Sequence, residues 1–382
     1  MEEATPNRPV LSPGKRRLFR GVILSVLGLA GLVGAEAILR RQQTEIARSN
    51  RMDAGMVKYD PQLGWRLVPN WSGAHTHRDF SVRYAVNALG LRADTPSPPR
   101  NSGRQLTLAV GDSYTFGFGV KDDETYVHRL DALGAGGFDY INAGIPGYST
   151  DQEAMLLNRD LWALAPRRVL LFVYVGNDVL DNVRDVPLQL RTPKPRFEVV
   201  GGDLVLRNVP VPHSSDARVE PWWPVVLGAD SSGWSWRTRL ELRFELFRLL
   251  SPPIPRERDY RPELAVRFAP ALSLFEMIVK GMAGDAARRN VEFIVIPIAA
   301  AAYLNAPHSP SGQYQDFFCE QIVLRLRAAD IPLIHLPALM RERFHREGGH
   351  WYFPHEGHLN PDGHKVVAEI LARELSAPVS RG

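Results

Sequence analysis

Two residues far apart in this chain carry side chains that together can perform nucleophilic catalysis. Ser113 lies within Leu106–Val120, where an apolar strand-like run ends in Gly-Asp-Ser. His358 lies near the other end of the chain, in the polar sequence HEGHLNPDGH. A serine hydroxyl becomes an effective nucleophile when an imidazole accepts its proton. The pair therefore indicates acyl transfer, provided that the fold brings the two residues together.

Such a reaction also needs hydrogen-bond donors for the negative charge that develops on the attacked oxygen. A glycine of the turn-like sequence Ala143–Thr150 can supply a backbone N–H group, and so can Ser113 itself. The side-chain amide of Asn177, in the sequence Gly-Asn-Asp, can supply another. Each motif alone is an ordinary turn sequence. Their significance depends on whether they meet at one place.

The segments that precede these turns predict strands of a parallel sheet. Apolar runs end before Ser113 and before Asn177, and Phe138–Asn142 gives a short strand before the glycine-rich turn. Further strands are predicted at Glu292–Ile298 and Pro332–Leu336, and helices at Glu124–Leu133, Asp151–Leu164, Arg267–Asn290, Gln313–Ala329 and Asn360–Ser376. This alternation is typical of an α/β fold, in which ligands bind at the carboxyl edge of the sheet. We expect all three turns at that edge.

The N-terminal part contains an apolar run from Gly21 to Leu39 that follows a basic cluster and is interrupted by Glu36. As a helix the run would be roughly 28 Å long, enough to cross a bilayer core. It is either an uncleaved membrane anchor or a secretory signal peptide cleaved near Ala35-Glu36-Ala37. We favour the anchor because Ile38 and Leu39 extend the run beyond that site. Residues 1–20 would then be a cytoplasmic tail and residues 21–39 the transmembrane segment.

Changes of pattern divide the rest of the chain into four regions. Residues 40–104 are predicted to form a polar stalk and a β-rich lead-in, and residues 105–182 the first part of the α/β core. Residues 183–262 interrupt the alternation and predict an inserted cap. The cap is rich in proline, has a hairpin pattern around Gly201-Gly202 and contains Trp222, Trp223, Trp234 and Trp236. Residues 263–378 complete the core.

Composition and the remaining motifs restrict the class of function. The net charge is +4, and no basic segment interleaved with aromatic residues indicates nucleic-acid binding. Cys319 is the single cysteine, so no intramolecular disulfide can form, and its apolar neighbours predict a core thiol. His355 and His358 form HExH, one residue shorter than the zinc peptidase motif, in a stretch where glycine and proline oppose a helix. We therefore expect neither a metal nor a cofactor.

The other histidines suggest no chemistry. His75 and His77 lie in a polar stretch and are expected to be solvated. His364 is expected on the last helix, without an assigned role.

The four motifs GDS, GxxG, GND and HLNPDGH, in that order, resemble those of the SGNH (GDSL-type) hydrolase superfamily. The resemblance covers about Leu106–Asp181 and Val266–Leu375. It implies a flavodoxin-like three-layer α/β/α fold with a mostly parallel five-stranded sheet. The lead-in sequences GWRLVPN and NALGLR, behind an apolar N-terminal segment, resemble membrane-tethered bacterial members. This implies a single-pass protein of the cytoplasmic membrane with its catalytic domain in the periplasm.

Carried over to this chain, the resemblance implies Ser113 as the nucleophile and His358 as its base. The oxyanion would be bound by N–H donors of Ser113, Gly147 and Asn177. The chain departs from the family at the acid, which is usually an aspartate three or two residues before the histidine, where His355 and Glu356 stand here. Only a carboxylate can orient the imidazole and stabilise its charged form, so we assign this role to Glu356. A Ser–His dyad and a weakened enzyme are the alternatives.

The implied activity is hydrolysis of an ester through an acyl-enzyme on Ser113. Expected substrates are ester-bearing small molecules or an acylated glycan, for example one with O-acetyl groups. Two other functions stay open at this point. One is an O-acetyltransferase, in which a sugar hydroxyl replaces water as the acceptor. The other is a non-catalytic, membrane-tethered binding protein, which the altered acid position motivates.

Overall fold

A computed structural model of the chain describes residues 12–93, 103–188, 190, 192–213 and 259–376, with side chains of 43–49 left out. The described residues belong to two units. One is the N-terminal helix Pro13–Ser49, and the other is a body that begins at Asn50. The four tryptophans of the predicted cap lie outside the described residues, so their predicted place in an insert stays a prediction.

The N-terminal helix contains the whole predicted membrane segment. It runs from Pro13 to Ser49, so it also includes the first part of the predicted stalk. Within it, Pro13–Gln42 is long and apolar enough to cross a membrane, with a mean hydropathy of 2.2 in its most apolar window. Glu36 is hydrogen-bonded to Arg40 one helical turn later, at 2.6 Å. A signal sequence would have the same length and composition, so both interpretations of this helix stand.

The body contains eleven described strands, nine described α-helices and three short 3₁₀ helices. In chain order the strands are β1 (Arg51–Met52), β2 (Val57–Asp60), β3 (Gly64–Leu67), β4 (Ser72–His77), β5 (Phe80–Ala85), β6 (Gln105–Gly111), β7 (Phe138–Gly144), β8 (Arg168–Tyr174), β9 (Arg196–Val200), β10 (Asp203–Arg207) and β11 (Glu292–Ile298). The helices are Ser113–Phe116, Tyr126–Leu133, Thr150–Arg159, Asp178–Asp181, Arg261–Arg288, Ala301–Asn305, Pro310–Ala328, Leu336–Glu347 and Pro361–Ser376.

The central sheet has the order β7-β6-β8-β11, and all its strands are parallel. Val110 of β6 pairs with Ala143 of β7 on one side and with Leu171 of β8 on the other. The first strand thus lies between the second and the third, as in flavodoxin-like folds. Nearly every residue of β7, β8 and β11 is buried, as expected for a sheet covered on both faces.

Two groups of helices form the outer layers. Tyr126–Leu133, Pro361–Ser376 and Leu336–Glu347 pack on one another, and so do Thr150–Arg159, Arg261–Arg288 and Pro310–Ala328. The body is therefore a three-layer α/β/α sandwich, as predicted. The fold places the turns after β6, β7 and β8 at one edge of the sheet, because the strands are parallel.

The fifth predicted strand, Pro332–Leu336, is a single parallel bridge. Leu333 pairs with Val295 of β11, and the chain then enters a helix at Leu336. Pro332 has no N–H group to donate to a ladder, and the side chain of His335 accepts from Ala338 N to begin the helix. The regular sheet among the described strands consequently has four members.

The β-rich lead-in forms two small antiparallel sheets, β1-β4-β5 and β2-β3. The described part of residues 183–262, the predicted insert, contains the predicted hairpin, in which β9 and β10 pair around Gly201 and Gly202, both with positive φ. Before the hairpin, Lys194 forms a fully buried ion pair with Asp151 in the first turn of Thr150–Arg159. This pair connects the insert to the sandwich.

Candidate active site

Ser113 lies at the carboxyl edge of the central sheet. It is the first residue of the short helix Ser113–Phe116, directly after β6. Asp112 accepts a hydrogen bond from Tyr114 N at 2.9 Å and so fixes the turn. Gly144, at the end of β7, permits this turn to pack closely, because a Cβ there would lie 2.2 Å from Phe116 N. A buried strand, a cap and a close backbone contact thus present the serine side chain to the edge of the sheet.

His358 lies in the loop before the last helix, and its ring reaches the serine. Nε2 of His358 is 2.7 Å from Oγ of Ser113, although the two residues are 245 positions apart. The imidazole packs against the rings of Tyr114 and Phe118, with centroid distances of 4.5 and 5.4 Å. The first predicted pair is therefore brought together by the fold, in hydrogen-bonding geometry.

Glu356 makes two hydrogen bonds with His358. Its Oε1 is 2.7 Å from His358 Nδ1, and its Oε2 accepts from the backbone N–H of His358 at 3.0 Å. Burial acts to raise the pKa of Glu356, but the hydrogen bonds and charge of His358 hold this pKa below its ordinary value. A charged carboxylate at Nδ1 makes that nitrogen the donor, so Nε2 is the nitrogen that can accept the proton of Ser113.

Gly147 lies in the turn after β7 and lines the same cavity as Ser113. Its φ of 82° is in the left-handed region, and a Cβ would lie 2.3 Å from Cδ1 of Leu190, so the position requires glycine. The turn is held by the lead-in, since Trp65 Nε1 donates to Pro146 O at 3.0 Å. Its backbone N–H groups are thereby fixed relative to the sheet.

Asn177 follows β8 and also lines this cavity. Its Nδ2 donates to Asp181 Oδ2 at 2.9 Å, which orients the amide. An amide nitrogen carries two hydrogens, so a second N–H is left for a bound group. The structure thus brings the candidate nucleophile, its base, the carboxylate and the candidate oxyanion donors to one cavity.

The cavity has a volume of about 900 Å³ and combines apolar and polar walls. The lead-in contributes Met52, Met56 and Trp65, and the segment after the helix Asp178–Asp181 contributes Leu190. The polar members outside the hydrogen-bonded triad include Asn50, Lys58, Tyr59, Thr192 and His213. Such a mixture of apolar surface and a few polar groups is common in sites for small organic molecules.

Three buried carboxyl groups near the serine turn were not predicted to interact. They belong to Asp112, Glu153 and Asp178. Burial raises the pKa of Asp112 to about 6. Burial, and then the neighbouring carboxylates, raise the pKa values of Glu153 and Asp178 well above their ordinary range. Asp112 and Asp178 also support the loops, since Asp112 accepts from Tyr114 N and Asp178 Oδ2 accepts from Tyr174 N at 2.7 Å.

The histidines outside the triad differ from expectation. His75 is not solvated: it is buried in β4, where its ring nitrogens lie 2.9 Å from Tyr84 Oη and 2.7 Å from Asn50 Oδ1. Burial lowers the pKa of His75 to about 4. The period-2 burial of β4, in which Gly73 and His75 face inward, is the sequence signal that was missed. The side chain of His77 is also largely buried, with Nδ1 3.8 Å from Asp79, so His77 is not solvated either.

Two other titratable side chains, those of His364 and Cys319, are buried outside the candidate site. His364 is buried on the last helix, where its Nδ1 accepts from Tyr126 N at 3.1 Å, and burial lowers its pKa to about 3. Cys319 is buried, and burial raises the pKa of its thiol. Within the described part of the chain, no group of three or more His, Cys, Asp or Glu side chains could hold a metal ion.

The chain is similar in structure to GDSL-type lipolytic proteins and to acetylxylan esterases. A protein assigned to the G-D-S-L lipolytic family, from Desulfitobacterium hafniense, has 14% identity and a TM-score of 0.38, over 70% of this chain and 98% of its own. For a lipase/acylhydrolase from Enterococcus faecalis the values are 15% and 0.38, over 71% and 95%. For a catalytic mutant of an acetylxylan esterase from Geobacillus stearothermophilus they are 14% and 0.40, over 74% and 98%.

No family model and no curated protein matches the sequence. The solved structures belong to the class that the sequence motifs indicated. At such identities and TM-scores, the chemistry of this chain has to be inferred from its own site geometry.

Proposed function

We propose that this protein is a serine ester hydrolase that acts through an acyl-enzyme on Ser113. The observation that carries the proposal is the continuous chain of hydrogen bonds from Ser113 Oγ to His358 and on to Glu356, with both links at 2.7 Å. This arrangement has the nucleophile, the base and the orienting acid that serine acyl transfer requires. Glutamate two residues before the histidine takes the position that aspartate usually has.

In the proposed reaction, His358 Nε2 takes the proton of Ser113 as Oγ attacks the ester carbonyl carbon. The N–H donors of Ser113, Gly147 and Asn177 bind the resulting oxyanion. When the intermediate collapses, the C–O bond to the alcohol breaks and the imidazolium gives its proton to the leaving oxygen. Water then attacks the acyl-enzyme with His358 again as base, releasing the acid and free Ser113. Glu356 stabilises the imidazolium in both halves.

The position of Glu356 favours an enzyme over a non-catalytic binding protein. The binding-protein alternative was motivated by the missing aspartate, and a charged Glu356 at Nδ1 supplies the same chemistry. Failure of the native protein to react at Ser113 with a fluorophosphonate probe would restore that alternative.

We propose O-acetyl groups of an extracytoplasmic glycan as the substrate class. The length and apolar composition of the N-terminal helix support a location at the cytoplasmic membrane, and we place the body on the periplasmic side as part of the proposal. The cavity supports a polar, ring-shaped ligand, because Tyr59 and His213 lie together at its wall with a centroid distance of 4.6 Å, and Asn50 and Lys58 add hydrogen-bonding groups. Sequencing the mature N-terminus distinguishes a retained anchor from cleavage near Ala37.

Whether water or a sugar hydroxyl accepts the acyl group is an open part of this proposal. Mass spectrometry of the products from an acetylated glycan, with and without an unacetylated acceptor, separates the two. Free acetate alone means hydrolysis, and a newly acetylated acceptor means transfer.

Ser113→Ala tests the central claim with p-nitrophenyl esters of increasing acyl length. We expect its turnover to fall to background, because the acyl-enzyme cannot form. Asn177→Ala should retain activity at about one hundredth of the native rate, the usual cost of one oxyanion donor. Native turnover by Ser113→Ala, with unchanged fluorophosphonate labelling, would show that the assigned nucleophile is wrong.

A further inference from the structure

The backbone around Glu356 is bound by a residue from a different sheet. Asp79 lies in the turn between β4 and β5 of the lead-in. Its Oδ2 accepts hydrogen bonds from the backbone N–H groups of His355 and Glu356, each at 2.9 Å. Its Oδ1 lies 2.6 Å from Nδ1 of His355. One carboxylate therefore binds the loop at two consecutive residues, across 276 positions of sequence.

This contact is sheltered and charged. The side chain of Asp79 is 5% exposed, so water competes little for its oxygens. Burial acts to raise the pKa of Asp79, but the hydrogen bonds from His355 and Glu356 hold it below its ordinary value. Hydrogen bonds from backbone N–H groups to an ionised carboxylate are stronger than those between neutral groups. The same carboxylate gives His355 a role, because the His355 ring binds Asp79 from the solvent-exposed side of the contact.

A glutamate in the acid position needs such support more than an aspartate would. Its side chain has an additional rotatable bond, so its carboxylate is fixed only if the main chain from which it extends is fixed. The next residue is Gly357, with a φ of 93°, which gives the loop no side-chain restraint of its own. Asp79 binds the N–H of Glu356 itself, the point from which the side chain extends towards His358.

Apolar packing holds the β4–β5 turn against the same loop. The rings of Phe80 and Phe353 are 5.1 Å apart between centroids. Gly119, in the segment after Ser113, allows both rings to approach, because a Cβ there would lie 2.6 Å from Phe353 and 2.9 Å from Phe80. The turn that carries Asp79 is thus docked by contacts that do not depend on its carboxylate.

We infer that Asp79 is a positioning residue for the Glu356–His358 pair, which makes the lead-in sheet a working part of the active site. The carboxylate of Asp79 is hydrogen-bonded to His355 and Glu356, and His77 Nδ1 lies 3.8 Å from it on its own sheet. It acts by fixing the distance and direction between Glu356 Oε1 and His358 Nδ1. The inference rests on the proposed function, because positioning has kinetic meaning only if the Ser113–His358–Glu356 chain is catalytic.

Asp79→Ala removes all three hydrogen bonds and is expected to lower kcat about ten- to a hundredfold, with KM changed less than about twofold. Asp79→Asn keeps an oxygen for both N–H groups and should retain at least about half of the native kcat. Asp79→Ser is too short to reach both and should resemble the alanine variant. With Glu356 less well placed, the imidazolium is stabilised less, so the acid limb of the kcat/KM profile should move to lower pH in the alanine and serine variants.

Asp53→Ala is the matched control. Asp53 Oδ2 accepts from Ala74 N at 2.8 Å in the same small sheet, whereas the N–H groups of His355 and Glu356 donate to Asp79. Its removal weakens that sheet in a similar way, and kcat and the acid limb should stay at native values. An equal loss of kcat in Asp53→Ala and Asp79→Ala would mean that Asp79 only stabilises the sheet, and would overturn the inference.

A double-mutant cycle with Glu356→Gln gives the sharpest test. If Asp79 acts through Glu356, then Asp79→Ala should lower kcat less than about twofold in the Glu356→Gln background. The same tenfold or greater loss in both backgrounds would overturn the inference. If Asp79→Ala does not fold, the asparagine and serine variants decide the matter. Native kcat in Asp79→Ser, with Ser113→Ala inactive, contradicts the positioning role alone, whereas turnover by Ser113→Ala contradicts the proposed function itself.

Discussion

Two groups of carboxyl side chains near the Ser113–His358 pair have pKa values shifted in opposite directions. Glu356 and Asp79 accept hydrogen bonds from backbone and imidazole N–H groups, and these bonds hold both pKa values below the ordinary range in spite of burial. Asp112, Glu153 and Asp178 lie among one another, and burial raises their pKa values. The residue types are the same. For Glu356 and Asp79 the hydrogen bonds outweigh burial, whereas for Asp112, Glu153 and Asp178 burial is the larger effect.

This difference separates Glu356, which keeps a charge that can stabilise an imidazolium, from Glu153 and Asp178, whose raised pKa values favour the neutral acid. Asp112 is intermediate, because its pKa is raised only to about 6. Both oxygens of Glu153 have no hydrogen-bond partner among the described residues, which a buried carboxylate could not tolerate and a neutral acid tolerates better. Glu356, in contrast, directs each oxygen at an N–H group of His358. Only the second arrangement can keep a charge next to the candidate base.

We expect the largest effect when the charge of Glu356 is removed. Glu356→Gln should reduce kcat by about 10³- to 10⁴-fold, because the amide can donate to Nδ1 and so favour the wrong tautomer. Glu153→Gln, with the same chemical change on the neutral side, should alter kcat less than about threefold. Stopped-flow or steady-state assays of both variants on one ester make the comparison. A loss below about tenfold in Glu356→Gln would mean that Ser113 and His358 work as a dyad.

The sequence alone was sufficient to predict the parts of the site that depend on the parallel sheet. Ser113, Asn177 and a glycine of the turn Ala143–Thr150 each follow a strand, and parallel strands place the turns that follow them at one edge. The choice of Gly147 within that turn came from the family resemblance. His358 could be predicted there because the loop before the last helix returns to that edge. Glu356 was assigned from its place two residues before His358, where the family can have its acid, together with the chemical requirement for a carboxylate that His355 cannot meet.

The parts that could not be predicted depend on docking between separate elements. Asp79 meets Glu356 only because the β4–β5 turn packs on the loop before the last helix, and no local pattern encodes that contact. The helix Leu336–Glu347 was missed because its start overlaps a short apolar run that is equally compatible with a strand. Arg261–Arg288 begins before the predicted Arg267 because Pro262 favours a first helical turn.

A further buried carboxyl group extends the comparison, since Asp151 lies two residues before Glu153 on the same helix and has a cation as its partner. Lys194→Met leaves Asp151 buried without its cation and should lower the free energy of unfolding by about 3–5 kcal/mol. Urea denaturation of the isolated body or the full chain in detergent measures this. Lys194→Met combined with Asp151→Asn should recover most of the loss, because no charge is then buried.

Arg207→Met is the control for Lys194→Met. Arg207 pairs with Glu198 on the exposed β9–β10 hairpin of the same insert, at 3.1 Å. An exposed pair of this kind contributes less than about 1 kcal/mol. Equal losses in the two variants would contradict the view that the buried pair connects the insert to the sandwich.

The smallest expected effect is the contribution of Glu153 to the pH dependence of the free energy of unfolding. Because the pKa of Glu153 is raised in the folded protein, the folded state binds a proton that the unfolded chain releases above about pH 4.5, the ordinary glutamate value. The free energy of unfolding should therefore fall as pH rises from that value towards the folded pKa, by at most about 1.4 kcal/mol per pH unit for this group. Asp112 and Asp178 add to the same slope.

Glu153→Gln replaces the neutral acid with a neutral amide of the same shape, so it should flatten this slope and leave the protein more stable than native at pH 8. Urea unfolding between pH 5 and pH 8 measures the slope for both proteins. An unchanged slope, or a variant that is less stable at pH 8, would show that Glu153 is charged in the folded state. Glu153 would then be charged like Glu356, because a buried carboxylate without N–H donors would have kept its charge, and the contrast between the two glutamates would be wrong.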